Sequence, residues 1–159
     1  MILCDVNVLI YAFRSDADNH PLYKSWLESA INGPSAYGVA PQVLASVVRI
    51  CTHPRIFKIP SSLDDVFGFC RVLLEQPNAT VIVPGDRHWE IFESLCKHSQ
   101  SNGNIAQDAW FAALAIEFGC EWITTDRDYA RFDGLNWRTA FPMNQAIGPT
   151  ADRSPPVEN

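Results

Sequence analysis

The chain has 159 residues, 47% of them hydrophobic, which suits one globular domain with its own core. A net charge of −6 argues against a broad basic nucleic-acid face, although a carboxylate cluster adds negative charge by itself and bound divalent ions reverse the local field. No apolar run approaches the ~20 residues that span a bilayer, and five widely spaced cysteines without a C-x-x-C pair argue against a disulfide framework or zinc site.

Taken in chain order, the pattern alternates between strand and helix. Ile2 to Cys4 reads as a strand, closed by Asp5, and Val6 to Phe13 as a helix that starts at once. Asp5 interrupts the opening apolar run and no basic region precedes it, unlike a signal peptide, so the expected location is cytoplasmic. Pro21 to Ile31 is helical by the spacing of Leu22, Trp26, Leu27 and Ala30, with Gly33-Pro34 as its stop. Ala36 to Val39 is a short strand, and Pro41 suits the first turn of a helix running to about Cys51. Ser61 or Ser62 caps a helix over Leu63 to Leu74. Thr80 to Val83 is a strand, Pro84-Gly85 a turn, and Asp86 the expected cap of a helix from Arg87 to about Lys97. Ile105 to Phe118 is the most apolar helix, with Gly119 as its natural C′ residue. Trp122 to Thr125 is a strand, Asp128 to Phe132 a helical turn, and Leu135 to Arg138 an edge strand. Residues 142–159, rich in proline and poor in large apolar side chains, read as a loose tail behind a domain over residues 1–141. Strands separated by helices imply right-handed crossovers and a mostly parallel α/β sheet covered on both faces.

Four acids stand where such a sheet gathers its chemistry. Asp5 ends the first strand, Asp108 opens the apolar run Ala109 to Phe118, and Asp126 and Asp128 follow the strand Trp122 to Thr125. Carboxylates that meet repel one another unless they share protons or a hard cation. A Mg²⁺ or Mn²⁺ site, and with it phosphoryl chemistry, is the economical reading.

Each acid also has a purely structural alternative. Asp5 and Asp126 could be helix caps, Asp108 an acid favoured by the helix dipole, and Asp128 a turn residue. Asn7 could brace the Asp5 turn or bind a ligand. Asn104 suits a cap better than a metal neighbour. Thr125 could hydrogen-bond a carboxylate or the scissile phosphate. Arg49 could clamp phosphate or brace an internal carboxylate. Arg55 and Lys58 lie close to Arg49 in sequence, as Arg131 does to Arg127, and could line a local groove or be solvated. His88 reads as a partly buried helix residue, and Trp26, Trp110, Trp122 and Trp137 as core. Glu117 and Glu121 fall at the far end of the Asp108 helix. No G-x-x-x-x-G-K-[ST] loop and no Ser-His-Asp or Cys-His spacing competes.

The opening MILCDVNVLIYAF resembles the D-x-N start of a PIN domain. NIAQDAWFAALAIEFG resembles the central D-A-x-x-A-A-x-A segment of that family, and WITTDRDYARFDGLNW its closing T-T-D-x-D segment. VVRICTHPRIF resembles the R-x-x-T-x-P-x-x-F stretch of bacterial VapC toxins. The blocks occur in family order across residues 1–141. The resemblance implies a PIN-like three-layer α/β/α fold with a four- or five-stranded sheet. It implies a Mg²⁺-dependent endoribonuclease, the toxin of a type II toxin–antitoxin pair. It also implies an RNA substrate, a small DNA-binding VapB-like antitoxin and a homodimer. Asp5, Asp108 and Asp126 match the first, third and fourth acidic positions, and Asp128 an auxiliary one. The second acidic position holds Ser46, whose hydroxyl can orient a metal-bound water but brings no charge. The competing readings are a non-catalytic RNA-binding or interaction module on the same fold, and a phosphatase with Asp5 as nucleophile.

Overall fold

In a computed structural model of the chain, the structure describes residues 1–141; the expected tail, residues 142–159, lies outside the described residues. Five strands form one sheet: β1 (Ile2–Cys4), β2 (Tyr37–Val39), β3 (Ala79–Val81), β4 (Glu121–Ile123) and β5 (Trp137–Arg138). Six helices connect them: α1 (Val6–Phe13), α2 (His20–Ile31), α3 (Pro41–Cys51), α4 (Leu63–Leu74), α5 (His88–His98) and α6 (Asn104–Glu117). A short 3-10 helix, Arg127–Arg131, joins β4 to β5.

All strand pairs are parallel, in the order β3-β2-β1-β4-β5. Successive strand residues point to opposite faces. Leu3 and Cys4 are nonetheless both buried, as are Trp122 and Ile123, so the middle of the sheet is covered on both sides. The helices fall into two packed groups, α1 with α2 and α3 and then α3 with α4, and α5 with α6. The expected α/β architecture is present, and all five strands lie in the sheet.

The order of the strands reverses at β1 and β4. The chain steps outward from β1 through β2 to β3, then returns to the other side of β1 for β4 and β5. Open parallel sheets form their ligand crevice at such a reversal, beyond the carboxyl ends of the strands. Asp5 follows β1 directly and Asp126 follows β4 after two threonines, so the topology delivers both to that crevice.

Three expected features differ. Asp86 is exposed and caps nothing: α5 begins at His88 with Arg87 at its N-cap position and no side-chain cap. The carboxylate of Glu117, at the end of α6, instead accepts hydrogen bonds from the Gly85 and Arg87 amides, each at 2.9 Å. A carboxylate there also suits the positive end of a helix. Asn104 is not a cap either. It is the exposed first residue of α6, and Gly103, at φ +57°, holds the N-cap position. Finally, α6 begins at Asn104, so Asp108, which opens its apolar run, projects from the side of the helix rather than from its end.

Gly38 in β2 marks how tightly β1 is held. A Cβ there would stand 3.0 Å from Cγ1 of Ile82, and 3.3 Å from both the Ile2 carbonyl oxygen and Cδ1 of Leu3. Overpacking a formed core typically costs about 1–3 kcal/mol. Gly38→Ala should therefore lower the urea midpoint by an amount in that range without changing the slope of the transition. An unshifted midpoint would show that β1 and β2 have room to separate.

Candidate active site

The register between β1 and β4 builds the centre of the site. Ile2 pairs with Glu121, Leu3 with Trp122 and Cys4 with Ile123. One step further, the Asp5 amide donates to the Ile123 carbonyl at 2.9 Å, which sets Asp5 beside Thr124. The Thr124 hydroxyl donates to Oδ2 of Asp5 at 2.5 Å, and the Val6 amide donates to Oδ1 at 2.7 Å. Asp5 is thus both the N-cap of α1 and a candidate site acid. It is 5% exposed and Thr124 fully buried.

The Thr124 hydroxyl has a single proton to donate, and it is directed at Asp5. Its oxygen then accepts from the Asp126 amide at 3.0 Å and from Nδ2 of Asn7 at 3.4 Å. With the hydroxyl proton committed, Asn7 must turn its amide NH₂ toward Thr124. Its Oδ1 therefore faces away, buried and without a partner among the described residues. Thr124, which fixes Asp5, Asn7 and the start of the Asp126 segment together, makes the carboxylate hydrogen bond that is one of the two expectations for Thr125. Thr125 is half-buried and makes none of these hydrogen bonds. Only the strand register separates two adjacent threonines.

Asp5, Asp108 and Asp126 line one cleft of about 240 Å³ with Asn7, Ser46, Arg49 and Tyr129. Tyr129 is 2% exposed and its hydroxyl donates to Oδ1 of Asp108 at 3.4 Å. Nothing in the sequence pattern had singled out Tyr129 beyond its place in the T-T-D segment. Ser46 faces the cleft from α3, with its hydroxyl donating to the Gln42 carbonyl one turn back at 3.1 Å. Arg49, exposed at the rim, makes no salt bridge among the described residues. Asp128 is not brought to the cleft. Its carboxylate is 73% exposed and stands 3.4 Å from the Arg131 guanidinium, while its amide donates to Oδ1 of Asp126 at 2.8 Å. Asn104 does not line the cleft either. His88 is 1% exposed, and its Nε2 lies 3.0 Å from the Trp110 carbonyl, so that nitrogen carries the proton and the ring is structural.

Electrostatics follow from burial and like charge. Asp5 is pushed up to about 6, chiefly by burial; the bonds from Thr124 and Val6 oppose this, and Asp108 and Asp126 add to it. Asp108 is also raised, first by burial and then by Asp126. The Tyr129 phenol is raised by burial and by all three acids, so it remains a neutral donor.

The donor set is all oxygen and predominantly anionic, which fits a hard divalent cation. The orphaned Oδ1 of Asn7, buried beside the acids, is a neutral acceptor that such an ion or a water on it would satisfy. Among the described residues, no three His, Cys, Asp or Glu side chains close into a ready-made cage. Magnesium does not require one, since it retains several waters and takes one or two carboxylates.

Without such an ion, burying Asp5 costs stability as it ionises. Its folded value lies above the usual one, so the folded state holds the proton between about pH 4 and about pH 6 and the unfolded state does not. The contribution is intact below pH 4 and lost as pH rises through 6. In the absence of divalent ions, Asp5→Asn should therefore be more stable than the unaltered chain at pH 8, by an amount on the order of 2 kcal/mol. The advantage should shrink at pH 4. Parallel urea curves for the two chains at both pH values check this, and an equal gap at both would remove the burial argument.

The PIN domain family model matches residues 2–135. Ribonuclease VapC43 of Mycobacterium tuberculosis is 40% identical over 138 residues, 87% of this chain and 94% of that protein. Ribonuclease VapC25 of the same species is 37% identical over 132 residues, 83% of this chain and 93% of that protein. Among solved structures, VapBC2 of Rickettsia felis bound to a promoter DNA fragment aligns with a TM-score of 0.65 at 17% identity, covering 87% of this chain and 98% of that one. The sarcin-ricin-loop-cleaving toxin VapC20 of M. tuberculosis aligns at 0.58 and 14% identity, covering 86% and 99%. At those identities the two structures speak for the fold alone.

Proposed function

Because the chain belongs to the PIN domain family, we propose that it is an endoribonuclease, the toxin of a type II toxin–antitoxin pair, and that its cofactor is Mg²⁺, with Mn²⁺ a substitute. The observation that carries this reading is the convergence of Asp5, Asp108 and Asp126 on one cleft at the reversal of strand order. The ribonuclease names of relatives aligned over most of their length support it.

In this reading Asp5, Asp108 and Asp126 hold the ion directly or through water. Bound there, the ion would polarise a phosphate oxygen and lower the pKa of an attacking water. The chain's own residues do the positioning. Thr124 and the Val6 amide fix both oxygens of Asp5, so that its carboxylate does not reorient as substrate arrives. Tyr129 steadies Asp108 from the buried side. Arg49, at the rim, is placed to clamp a phosphate bidentately. Ser46 faces the cleft without charge, so the site carries one carboxylate fewer than the family pattern. That departure favours the alternative of a non-catalytic RNA-binding module.

The partners in this reading are RNA and a small DNA-binding antitoxin of the VapB kind. A basic side chain of the antitoxin would approach the acids and exclude the metal. The setting would be the cytoplasm; among the described residues, no helix is long and apolar enough to cross a membrane.

Cleavage of total RNA in Mg²⁺, with new ends mapped at nucleotide resolution, tests the activity. Asp5→Asn, Asp108→Asn and Asp126→Asn should each lose more than the roughly 10–100-fold typical of groups that only support a ligand. Expression of the unaltered chain should slow growth, and expression of Asp5→Asn should not. Full cleavage by any of the three variants removes that residue from the site. No cleavage by the unaltered chain, with RNA binding intact, would leave the binding-module reading.

Mg²⁺ should raise the melting temperature and release protons as the acids ionise. Ser46→Glu should add to that stabilisation, by about 1 kcal/mol or more in metal binding measured calorimetrically. Turnover need not rise with it, since tighter ground-state binding does not favour the transition state. Unaltered metal affinity in Ser46→Glu would mean that residue 46 does not reach the ion.

A further inference from the structure

Charge is unevenly distributed along the chain. Despite 18 Asp and Glu residues, none stands between Glu28 and Asp64, and that stretch holds Arg49, Arg55 and Lys58. Arg49 rims the catalytic cleft from α3. Arg55 and Lys58 follow in the loop that leaves α3 directly after Cys51, and both are exposed. Neither they nor Arg49 form a salt bridge among the described residues.

The loop is held rigidly from beneath. Its ends meet where the Ser61 amide donates to the Cys51 carbonyl at 2.9 Å, the geometry of a compact Ω-type loop. Inside it lies the buried Arg14 guanidinium, 3.7 Å over the Phe57 ring. Arg14 donates to the Ser61 hydroxyl at 2.9 Å and to the Ile59 carbonyl at 3.1 Å. Of the acids that flank the loop, Asp16 is held by Arg14 at 2.6 and 2.8 Å, Asp65 accepts from the Ser62 hydroxyl at 2.6 Å, and Asp64 is exposed. Arg14 directly follows α1, whose other end is capped by Asp5. The eight residues of α1 thus separate the loop from the acids by about 12 Å of helix, at ~1.5 Å per residue.

We infer that residues 52–61 form a substrate-binding platform on which Arg55 and Lys58 hold the phosphate backbone of single-stranded RNA beyond the scissile bond, with Arg49 bridging toward the cleft. This rests on the ribonuclease reading above. A protein partner could use the exposed Ile56 and Ile59. The loop itself carries cations and no acid, with Asp16 and Asp65 confined to the side where its end meets Arg14, and this decides for a polyanion, because phosphate contacts need only cations. A loop whose backbone is already held offers its charges with only the side chains left to order. In an acidic protein it supplies the local attraction that the cleft cannot.

The test is a salt titration of RNA binding. The full-length chain carrying Asp108→Asn, so that the strand survives, is titrated with labelled single-stranded RNA in Mg²⁺ over a range of salt. Adding Arg55→Ala and Lys58→Ala should reduce the slope of log affinity against log salt by about 1.4, or about 0.7 for each lost phosphate contact. Affinity near 0.1 M salt should fall roughly tenfold or more. A control of equal charge change, Arg71→Ala with Arg87→Ala, should leave the slope unaltered. Equal slopes for the loop variant and its parent overturn the proposal. So does an unchanged slope combined with loss of neutralisation by the antitoxin, which would make the loop a protein-docking surface. RNA binding with the expected slope change, in a chain that cleaves nothing when unaltered, would overturn the nuclease reading and leave the platform standing. No RNA binding at any salt overturns the platform, and cleavage by the unaltered chain decides the nuclease reading separately.

Discussion

Between β1 and β4 the parallel register sets Asp5 beside Thr124, and the hydrogen bond between them organises the whole cleft. A carboxylate buried at the start of a helix is costly unless its oxygens are satisfied. Here one oxygen is held by the Val6 amide and the other by Thr124. The same hydroxyl oxygen receives the Asp126 amide and the Asn7 side chain. One buried donor thus links the end of β1, the end of β4 and the first turn of α1. A shift of one residue in the register would turn Ile123 or Thr125 toward Asp5 and dissolve the arrangement.

The site is built against stability. Asp5 and Asp108 are both raised by burial and by their neighbours' charge. A fold without a use for these acids would gain by replacing any of them. The surrounding core is accordingly well packed, with Ala109, Ala112, Ala113, Leu114, Trp122 and Ile123 fully buried behind the acids. Ser46, in place of a further acid, lightens the repulsion. The same replacement leaves the cleft one negative charge fewer to offer a cation.

Two helix ends share the architecture in complementary ways. At its beginning α1 is capped by Asp5 and faces the acidic cleft; just past its end Arg14 anchors the basic loop. The short helix is therefore a spacer between an acidic cleft and a basic loop. Glu117 does similar work on the other side of the molecule, tying the end of α6 to the start of α5.

The order of strands and helices was legible in the sequence because local propensity and hydrophobic period agree over most of the chain. The observed elements fall within a few residues of the expected ones, as for Val6–Phe13 and Leu63–Leu74. The three acids stood out because they follow strands or open an apolar run, whereas Ser46 was singled out only by the resemblance to the PIN pattern. Tertiary structure decided what depends on partners distant in sequence. It chose Thr124 over Thr125 through a strand register, tied the segment before α5 to Glu117 rather than to Asp86, and left Asp128 to Arg131 outside the cleft. It also folded Arg14 beneath a loop more than forty residues later in the chain. Sequence alone fixes which chemistry each residue can offer. Which groups meet is set by strand order and register, and these come from packing the whole chain.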